Sequence, residues 1–205
     1  MIASTAGCTK NRYNRAYPLN IHFIDVGQGD SILIQYKNKN ILIDAGPDYS
    51  EKFLIKYLKD NKIKSLDVVI ATHPHEDHIG GMDAIIKAFK IKSFHAPKII
   101  SNDESFVKMV KSLRDRNLLI NKIKNGKSIS LDKEAKIYFL SPSEDSYENI
   151  NNYSAVALLT YKNTSYLFAG DAEEPIENEL MNNYPELKTD LIKLGHHGSK
   201  TSSTE

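Results

Sequence analysis

The chain has one cysteine, Cys8, in 205 residues. A single thiol excludes a disulfide framework and a zinc site built from four cysteines. No apolar run approaches the roughly 18 residues that a membrane-spanning helix requires. The sequence also lacks an excess of one charge, because 27 lysines and arginines oppose 26 aspartates and glutamates. Bulk charge therefore gives no reason to predict a nucleic-acid binder, although a local basic face remains compatible with the composition.

The rest of the composition indicates one soluble globular domain. Hydrophobic residues make up 40% of the chain and charged residues 26%, a balance that excludes disorder as the main state. A chain of this length buries roughly 70% of its unfolded surface and needs no disulfide or structural metal to hold a core. We expect this domain at residues 19–205. Residues 1–18 show neither a helical nor a strand period and are predicted to form a disordered tail.

Cys8 allows two interpretations of that tail. It follows the small residues Ser4–Gly7, and this order resembles the end of a bacterial lipoprotein signal, in which the cysteine becomes lipidated. The resemblance implies an extracytoplasmic protein anchored to the membrane through Cys8. Thr5 stands where such signals usually have an aliphatic residue, and no charged start or apolar stretch precedes it. The alternative is a polar tail with a spare thiol, which leaves a cytoplasmic location open.

From Leu19 onward the pattern of apolar residues becomes regular. Two pairs of β-rich runs are predicted to form hairpins, Ser31–Tyr36 with Asn40–Asp44 and Ala155–Tyr161 with Ser165–Ala169. The predicted helices are Glu51–Asp60, Gly81–Phe89, Glu104–Arg116 and Glu173–Asn183. Leu66–Ala71 is predicted to be a buried strand, and Leu187–Leu194 the last strand. Two β-rich halves with helices between them predict two packed sheets with helices outside.

The most informative segment is Thr72–Gly81, which reads THPHEDHIGG and follows an apolar strand directly. It holds three of the seven histidines and two carboxylates. Clustered imidazoliums repel one another, whereas a bound metal keeps each ring neutral. In an extended loop His73 and His75 point the same way and can hold one ion. Asp77 and His78 follow a turn and can face another, so the motif predicts two divalent metal ions.

The pattern H-x-H-x-D-H after an apolar strand resembles the metallo-β-lactamase superfamily of metal-dependent hydrolases. The resemblance covers about Leu19 to Ser199 and implies an α/β (α+β) fold, an αββα sandwich. Asp44, within the strand end Ile41–Gly46, resembles the aspartate that supports the metal loop. Asp171, at the end of Phe168–Asp171, resembles the aspartate that bridges the two metals.

A narrower resemblance is to the extracellular hydrolase domain of ComEC-type competence proteins. It depends on FIDVGQGDS at Phe23–Ser31, HPHEDHIGG at His73–Gly81, Asn151–Ser154, AGDAE at Ala169–Glu173 and HHGSKTSS at His196–Ser203. Proteins of that group are thought to act on DNA. The resemblance therefore implies a phosphodiester substrate such as DNA and an extracytoplasmic site of action. No protein partner can be inferred from the sequence.

One departure from the family pattern concerns the metal ligands. Many superfamily members carry a third histidine shortly before the bridging aspartate, but here only His95 precedes it after the motif, and His95 lies too early. Asn151–Ser154 stands in the expected place. Asn152 or Ser154 either offers a weaker oxygen ligand, contacts the substrate or belongs to an ordinary loop. Loss of an imidazole favours a harder metal such as Mn²⁺ over Zn²⁺.

A second departure concerns the carboxyl end of the sequence. Relatives continue past this point and supply one more histidine to the second metal, whereas this chain stops at Glu205. Either His196 or His197 takes that role, as a ligand or a proton donor, or the chain is a truncated form of a longer protein. Truncation is the expectation, with both histidines beside the metals.

Other polar residues have alternative interpretations. Asp25 and Asp30 flank a Gly-Gln-Gly turn, and each either caps the turn or supports the metal-binding histidines. His22 and His95 are predicted to be packing residues. Lys193 either meets a phosphate or is a solvated residue at the end of a strand.

These features predict metal-dependent hydrolysis, with Zn²⁺ or Mn²⁺ as the cofactor and a metal-bound hydroxide as the nucleophile. The expected metal ligands are His73, His75, Asp77, His78, Asp171 and His196. The expected catalytic residues are Asp77, His196 and His197, and the expected supporting or substrate-contacting residues are Asp44, Asp25, Asp30, Asn152 and Ser154. A phosphodiesterase or nuclease is the first hypothesis. The alternatives are a β-lactamase or thioesterase-like hydrolase and a low-activity metal-binding module of the cell surface.

Overall fold

Eleven strands form two sheets in residues 18–203, the part of the chain that the structure, a computed structural model, describes. The strands are β1 (Leu19–Phe23), β2 (Ile32–Tyr36), β3 (Lys39–Ile43), β4 (Ser65–Ile70), β5 (Lys90–Pro97), β6 (Ile120–Ile123), β7 (Ser128–Ser130), β8 (Ala135–Phe139), β9 (Ala157–Tyr161), β10 (Thr164–Phe168) and β11 (Leu191–Lys193). The α-helices are α1 (Glu51–Asp60), α2 (Glu76–Ile79), α3 (Met82–Ala88), α4 (Glu104–Asp115) and α5 (Glu174–Asn183). Cys8, with the predicted tail up to residue 17, lies outside the described residues, as does Glu205.

The first sheet joins the strands of the amino-terminal half in the order β1-β2-β3-β4-β5-β6. The predicted hairpin is present, with β2 and β3 antiparallel and Ile32 opposite Ile43. Lys37 adopts φ 52° in the turn, which lets Tyr36 pair with Lys39. From β3 to β6 the strands run parallel, so their carboxyl ends lie at one edge of the sheet.

The second sheet has the order β11-β10-β9-β8-β7. Its strands are antiparallel except for the pair of β10 and β11, in which Phe168 lies opposite Lys193. The predicted last strand is shorter than expected, because only Leu191–Lys193 pairs with β10. Leu187 instead packs against the apolar cluster beneath α5.

Successive side chains of the central strands point to opposite faces of the sheet, and this alternation produces four layers. Leu33 of β2 packs beneath the helices α1, α3 and α4, whereas Ile32 and Ile34 pack against the second sheet. Leu42 of β3 and Val69 of β4 lie on the same helix-facing side as Leu33. The outer face of the second sheet is covered by α5. The αββα sandwich expected from the sequence is therefore confirmed.

The strand ends place the chemically active segments at one edge of the sandwich. Asp44 follows β3, and Thr72–His78 follows β4. From the second sheet, Asp171 follows β10 and His196–His197 follows β11. Loops at the carboxyl ends of strands project from a rigid scaffold and are the usual location of ligand sites in such sheets. No described helix has the length and apolar character to cross a membrane.

Replacing Phe139 with alanine is expected to lower the free energy of unfolding by about 3–5 kcal/mol, because its ring fills the space between the sheets. Urea denaturation followed by circular dichroism measures this change. The matched control is Tyr138→Ala on the same strand, since the Tyr138 side chain is 37% exposed, and that change is expected to cost less than about 1 kcal/mol. Equal effects of the two changes would contradict the two-sheet core.

Candidate metal centre

His73 and His75 meet at one point, as the alternation in the motif predicts. The chain leaves β4 in an extended conformation, and helix α2 begins directly after His75. Nε2 of His73 lies 3.1 Å from Nδ1 of His75, with the two rings nearly perpendicular. The His73 side chain is fully buried. Two imidazole nitrogens this close can share one cation as ligands.

A second group brings together Asp77, His78, Asp171 and His197, whose ligand atoms all lie within 4.8 Å of one another. Nε2 of His197 lies 3.1 Å from Oδ2 of Asp77 and 3.5 Å from Oδ2 of Asp171. Two carboxylates and two imidazoles form a donor set of the kind that holds a divalent transition metal.

Asp171 faces both groups. Its Oδ1 lies 3.1 Å from Nε2 of His78, and its Oδ2 lies 3.8 Å from Nε2 of His73. The side chain is only 2% exposed, so water does little to satisfy its charge. Its position between the two groups is the one that the family resemblance implies for a bridging carboxylate.

The residues present fit a bound cation, because two buried polar atoms have no other partner. Nε2 of His78 and Oδ1 of Asp171 face each other at 3.1 Å without the geometry of a hydrogen bond, and neither makes a hydrogen bond to any other of the residues 18–203. A buried polar atom without a partner costs about 1–3 kcal/mol, so such atoms call for a ligand. A divalent cation between them would satisfy both the imidazole lone pair and the carboxylate charge.

Asp44 is buried and holds the histidine loop to the end of β3. Its Oδ1 accepts a hydrogen bond from the backbone N–H of Thr72, at 2.8 Å. Its Oδ2 accepts from Oγ1 of Thr72 at 2.6 Å and lies 2.8 Å from Nδ1 of His78. Because Nδ1 of His78 donates to this carboxylate, Nε2 keeps the lone pair for a metal. Asp44 therefore orients a ligand rather than serving as one.

Thr72 orients the neighbouring histidine in the same way. Oγ1 of Thr72 lies 3.2 Å from Nδ1 of His73. Because this hydroxyl donates its proton to Asp44, it can accept one from His73. That arrangement leaves Nε2 of His73 with its lone pair directed towards His75. Thr72 is not among the site residues predicted from the sequence, although it stands directly before the first histidine of the motif.

Asp30 supports His197 from the first sheet. Oδ1 of Asp30 lies 3.5 Å from Nδ1 of His197, and Oδ2 forms an ion pair with Nζ of Lys193. Gly29 makes this possible, because it adopts φ +141° and a Cβ there would collide with the carbonyl oxygen of Asp77. The backbone N–H of Asp30 donates to that same carbonyl at 3.2 Å. Asp25 is exposed and accepts a hydrogen bond from the N–H of Gly27, as a turn-capping residue does.

The two histidines after β11 have different surroundings. His197 belongs to the metal group, whereas Nδ1 of His196 lies 3.0 Å from both Oε1 of Glu173 and Oγ1 of Thr201. Both histidines adopt left-handed backbone conformations, with φ 43° and 52°. Such conformations are costly for residues with a Cβ and cluster at functional sites. The structure thus places His197, and not the predicted ligand His196, in the metal group.

Asn152 and Ser154, where many superfamily members have a histidine, hold the segment that carries Asp171. Oγ of Ser154 accepts a hydrogen bond from the backbone N–H of Asp171 at 3.0 Å and lies 3.5 Å from Nδ1 of His73. Oδ1 of Asn152 accepts from the backbone N–H of Glu173 at 3.3 Å. Both side chains are buried.

Glu173 is a connecting residue that the sequence analysis did not identify. Oε2 accepts from Asn149 at 2.8 Å, while Oε1 accepts from Asn151 and Thr201, each at 3.1 Å. Glu173 thereby joins the 3₁₀ turn Ile150–Tyr153 to the His196 loop. No local pattern reveals this role, because its partners lie more than 20 residues away in the sequence.

His95 and Lys193 also have defined surroundings. His95 is half-buried against Phe139 and Ser93, away from the metal group, as expected for a packing residue. Lys193 is not solvated, because its side chain is only 14% exposed and donates to the carbonyl oxygen of Gly170 at 3.1 Å.

The surroundings shift the pKa values of the three histidines in different directions. Burial lowers the pKa of His73 well below its usual range, and the neighbouring His78 and His75 rings lower it further, so His73 is neutral. Burial alone would lower the pKa of His78 too, but the carboxylates of Asp171 and Asp44 outweigh burial and raise it to about 10. Asp30 and Asp77 raise the pKa of His197 to about 9. Cation binding must displace these protons, so affinity falls as the pH falls.

Comparison with known proteins places the chain in the family that the sequence motifs resemble. The sequence profile of the Metallo-beta-lactamase superfamily matches residues 24–205. ComE operon protein 3 of Bacillus subtilis is 32% identical over 203 residues, covering 90% of this chain and 26% of that protein. Recombination protein 2 of Haemophilus influenzae is 30% identical over 187 residues, covering 89% and 22%. The chain spans about a quarter of the length of these curated relatives.

Solved structures share the fold. Metallo-beta-lactamase SMB-1, in a complex with mercaptoacetic acid, superposes with a TM-score of 0.58 at 14% identity and covers 84% of this chain and 75% of its own. A B3 metallo-beta-lactamase with an active site glutamic acid superposes with a TM-score of 0.58 at 16% identity, covering 92% and 83%. At these identities the likeness concerns the fold alone.

Replacing Asp44 with asparagine is expected to weaken divalent metal affinity by about 10- to 100-fold, because the amide cannot hold both Thr72 and His78 in place. Competition with a metal-sensitive indicator dye measures the change. Asp83→Asn is the matched control, since that carboxylate bonds Lys87 on helix α3. Unchanged affinity of the Asp44 variant would contradict its orienting role.

Proposed function

The chain belongs to the metallo-β-lactamase superfamily of metal-dependent hydrolases, and from that premise we propose that it is a phosphodiesterase, with a nucleic acid as the natural substrate. The observation that carries the proposal is the position of Asp171 between two sets of ligands. One set is His73 with His75, and the other is Asp77 with His78 and His197. This arrangement supports a pair of divalent cations, Zn²⁺ or Mn²⁺, that share one carboxylate.

The donor set favours a phosphoryl group over a lactam. Bound divalent cations would neutralise charge on a phosphoryl group and ease the ionisation of water. Between His78 and Asp171 the only histidine is His95, which packs elsewhere, so the first cation would have two imidazoles rather than three. Fewer nitrogen ligands favour a harder metal such as Mn²⁺, which prefers oxygen donors such as phosphate. The words competence and recombination in the names of relatives also support a nucleic-acid substrate.

His196 is the residue of this chain that is best placed to give a proton to the leaving group. Its Nδ1 is held by Glu173 and Thr201, and the side chain is 32% exposed. Nε2 makes no hydrogen bond to a described residue and remains available to substrate. A carboxylate that accepts a hydrogen bond from one imidazole nitrogen fixes the orientation of the ring. Glu173 therefore orients His196, and Nε2 is the nitrogen that would exchange a proton with the substrate.

We also propose an extracytoplasmic location. The support is the resemblance of Ser4–Cys8 to a lipoprotein signal and the similarity to competence proteins. Mass spectrometry of the native membrane fraction tests the lipid anchor, and an unmodified Cys8 there would remove that support.

With Mn²⁺ or Zn²⁺, the purified protein is expected to hydrolyse bis-p-nitrophenyl phosphate and single-stranded DNA but not a chromogenic cephalosporin. Asp171→Asn is expected to lower kcat/KM at least 100-fold, because it removes charge from the point that both ligand sets share. Asp60→Asn, an exposed change on helix α1, is the control. Turnover of the cephalosporin alone would overturn the proposal in favour of a lactamase. No turnover of any substrate would favour a metal-binding module.

His196→Asn is expected to lower kcat for DNA by about 100-fold and to change kcat for bis-p-nitrophenyl phosphate much less. The reason is that an alkoxide leaving group needs a proton, whereas p-nitrophenolate leaves without one. Metal content, measured by elemental analysis, should stay unchanged, because His196 lies outside the metal group. An equal loss on both substrates would contradict the role as proton donor.

A further inference from the structure

An apolar groove opens beside the candidate metal centre. The side chains that line it include His73, Pro74, Pro97, Ile99, Phe106 and Ile120. His73 is both a candidate ligand and one wall of the groove. Ile120, on the edge strand β6, is 41% exposed, so its side chain is accessible to a molecule in the groove. A molecule that fills the groove would therefore lie next to a group bound at the metal centre.

Cationic side chains follow the groove along the same edge of the sheet. Lys98, Lys122 and Lys124 surround a second, smaller pocket with Tyr153. Asp145 pairs with Lys122 at 3.7 Å and with Lys124 at 3.1 Å, and Glu144 also lines this pocket. Three lysines against two carboxylates leave the pocket with an excess of positive charge.

The parallel strands set the order of these features. His73 follows β4, Pro97 and Lys98 come at the end of β5, and Lys122 lies on β6. Neighbouring strands are about 4.8 Å apart, so this strip runs over about 10 Å from the metal ligands through the groove to the lysines. The strip is thus longer than a single phosphodiester group and changes from apolar to cationic along its length.

We infer that the strip binds the nucleotide next to the scissile phosphate of a single-stranded polynucleotide, with the base in the apolar groove and the following phosphate at the lysines. The inference depends on the proposed phosphodiesterase function. A base offers a flat apolar face to such a groove, whatever its identity. In a duplex the base would first have to leave its stack, so a single strand is favoured. An acyl chain would also fill the groove, but its apolar carbons would form no ion pair with the lysines.

The test compares two fluorescein-labelled oligodeoxynucleotides of equal length, one with bases throughout and one with abasic sites throughout. Fluorescence anisotropy with the metal-free full chain is the readout, so the result does not depend on catalysis. The base-bearing strand is expected to bind about tenfold more tightly than the abasic strand. In Ile120→Ser this ratio is expected to fall to about one or two. Ile192→Ser is the matched control, an isoleucine that is 53% exposed on the edge strand of the other sheet.

A second variant tests the cationic end of the strip. Lys122→Gln is expected to weaken binding of both oligonucleotides equally and to reduce the slope of log affinity against log salt by about 0.7. Circular dichroism checks that each variant folds, and Ile99→Ser replaces Ile120→Ser if that variant does not. Thermal melting of both serine variants against the Ile192 control distinguishes a lost contact from a lost fold.

Each outcome bears on one proposal at a time. Equal binding of the two strands by the natural sequence, or an unchanged ratio in both groove variants, would overturn the nucleotide subsite. If bis-p-nitrophenyl phosphate is still hydrolysed in that case, the proposed phosphodiesterase function is retained without the nucleotide subsite. Base-dependent binding without hydrolysis of any phosphodiester would refute the proposed function and retain the subsite. If neither strand binds, the inference is also overturned. The groove would then bind something else, such as a protein segment.

Discussion

The buried carboxylate of Asp44 is the constraint from which the rest of the centre follows. A fully buried charge is costly unless its hydrogen bonds are satisfied, and within residues 18–203 Thr72 and His78 satisfy it. The loop after β4 therefore has one conformation in which Asp44 is stabilised. That conformation turns Nε2 of both His73 and His78 towards Asp171. These hydrogen bonds of the fold itself orient the ligands, which is the preorganisation that a catalytic centre requires.

The second constraint is charge balance at the meeting point of the two sheets. Four carboxylates converge there, from Asp30, Asp44, Asp77 and Asp171. Lys193 supplies one fixed positive charge through its ion pair with Asp30. The raised pKa values of His78 and His197 show that the carboxylates hold further positive charge as protons. Divalent cations would supply that charge instead, so the centre and its ligand are electrostatically matched.

Local patterns were enough to predict much of this arrangement. Two packed sheets with helices outside, both hairpins and helix α1 followed from the alternation and turn residues near each element. The convergence of His73 with His75 followed from a period of two. The choice between His196 and His197 could not be made, because it depends on two successive left-handed residues in one loop. The role of Glu173 could not be predicted, because its hydrogen-bond partners are distant in sequence. Where a side chain's role comes from long-range contacts, composition and spacing carry no signal for it.

Ser154 stands where many superfamily members have a third histidine, and this difference changes which protein groups could bind a cation beside His73 and His75. Ser154 already accepts the backbone N–H of Asp171, so its oxygen is engaged in holding the shared carboxylate. An imidazole at this place would be a ligand, whereas the hydroxyl leaves one side of the His73–His75 pair without a protein donor. The apolar groove begins at His73, on the same histidine pair. A cation held there by few protein ligands, beside a groove, would suit a substrate that brings its own oxygens, as the proposed phosphodiester does, better than one that offers a single carbonyl.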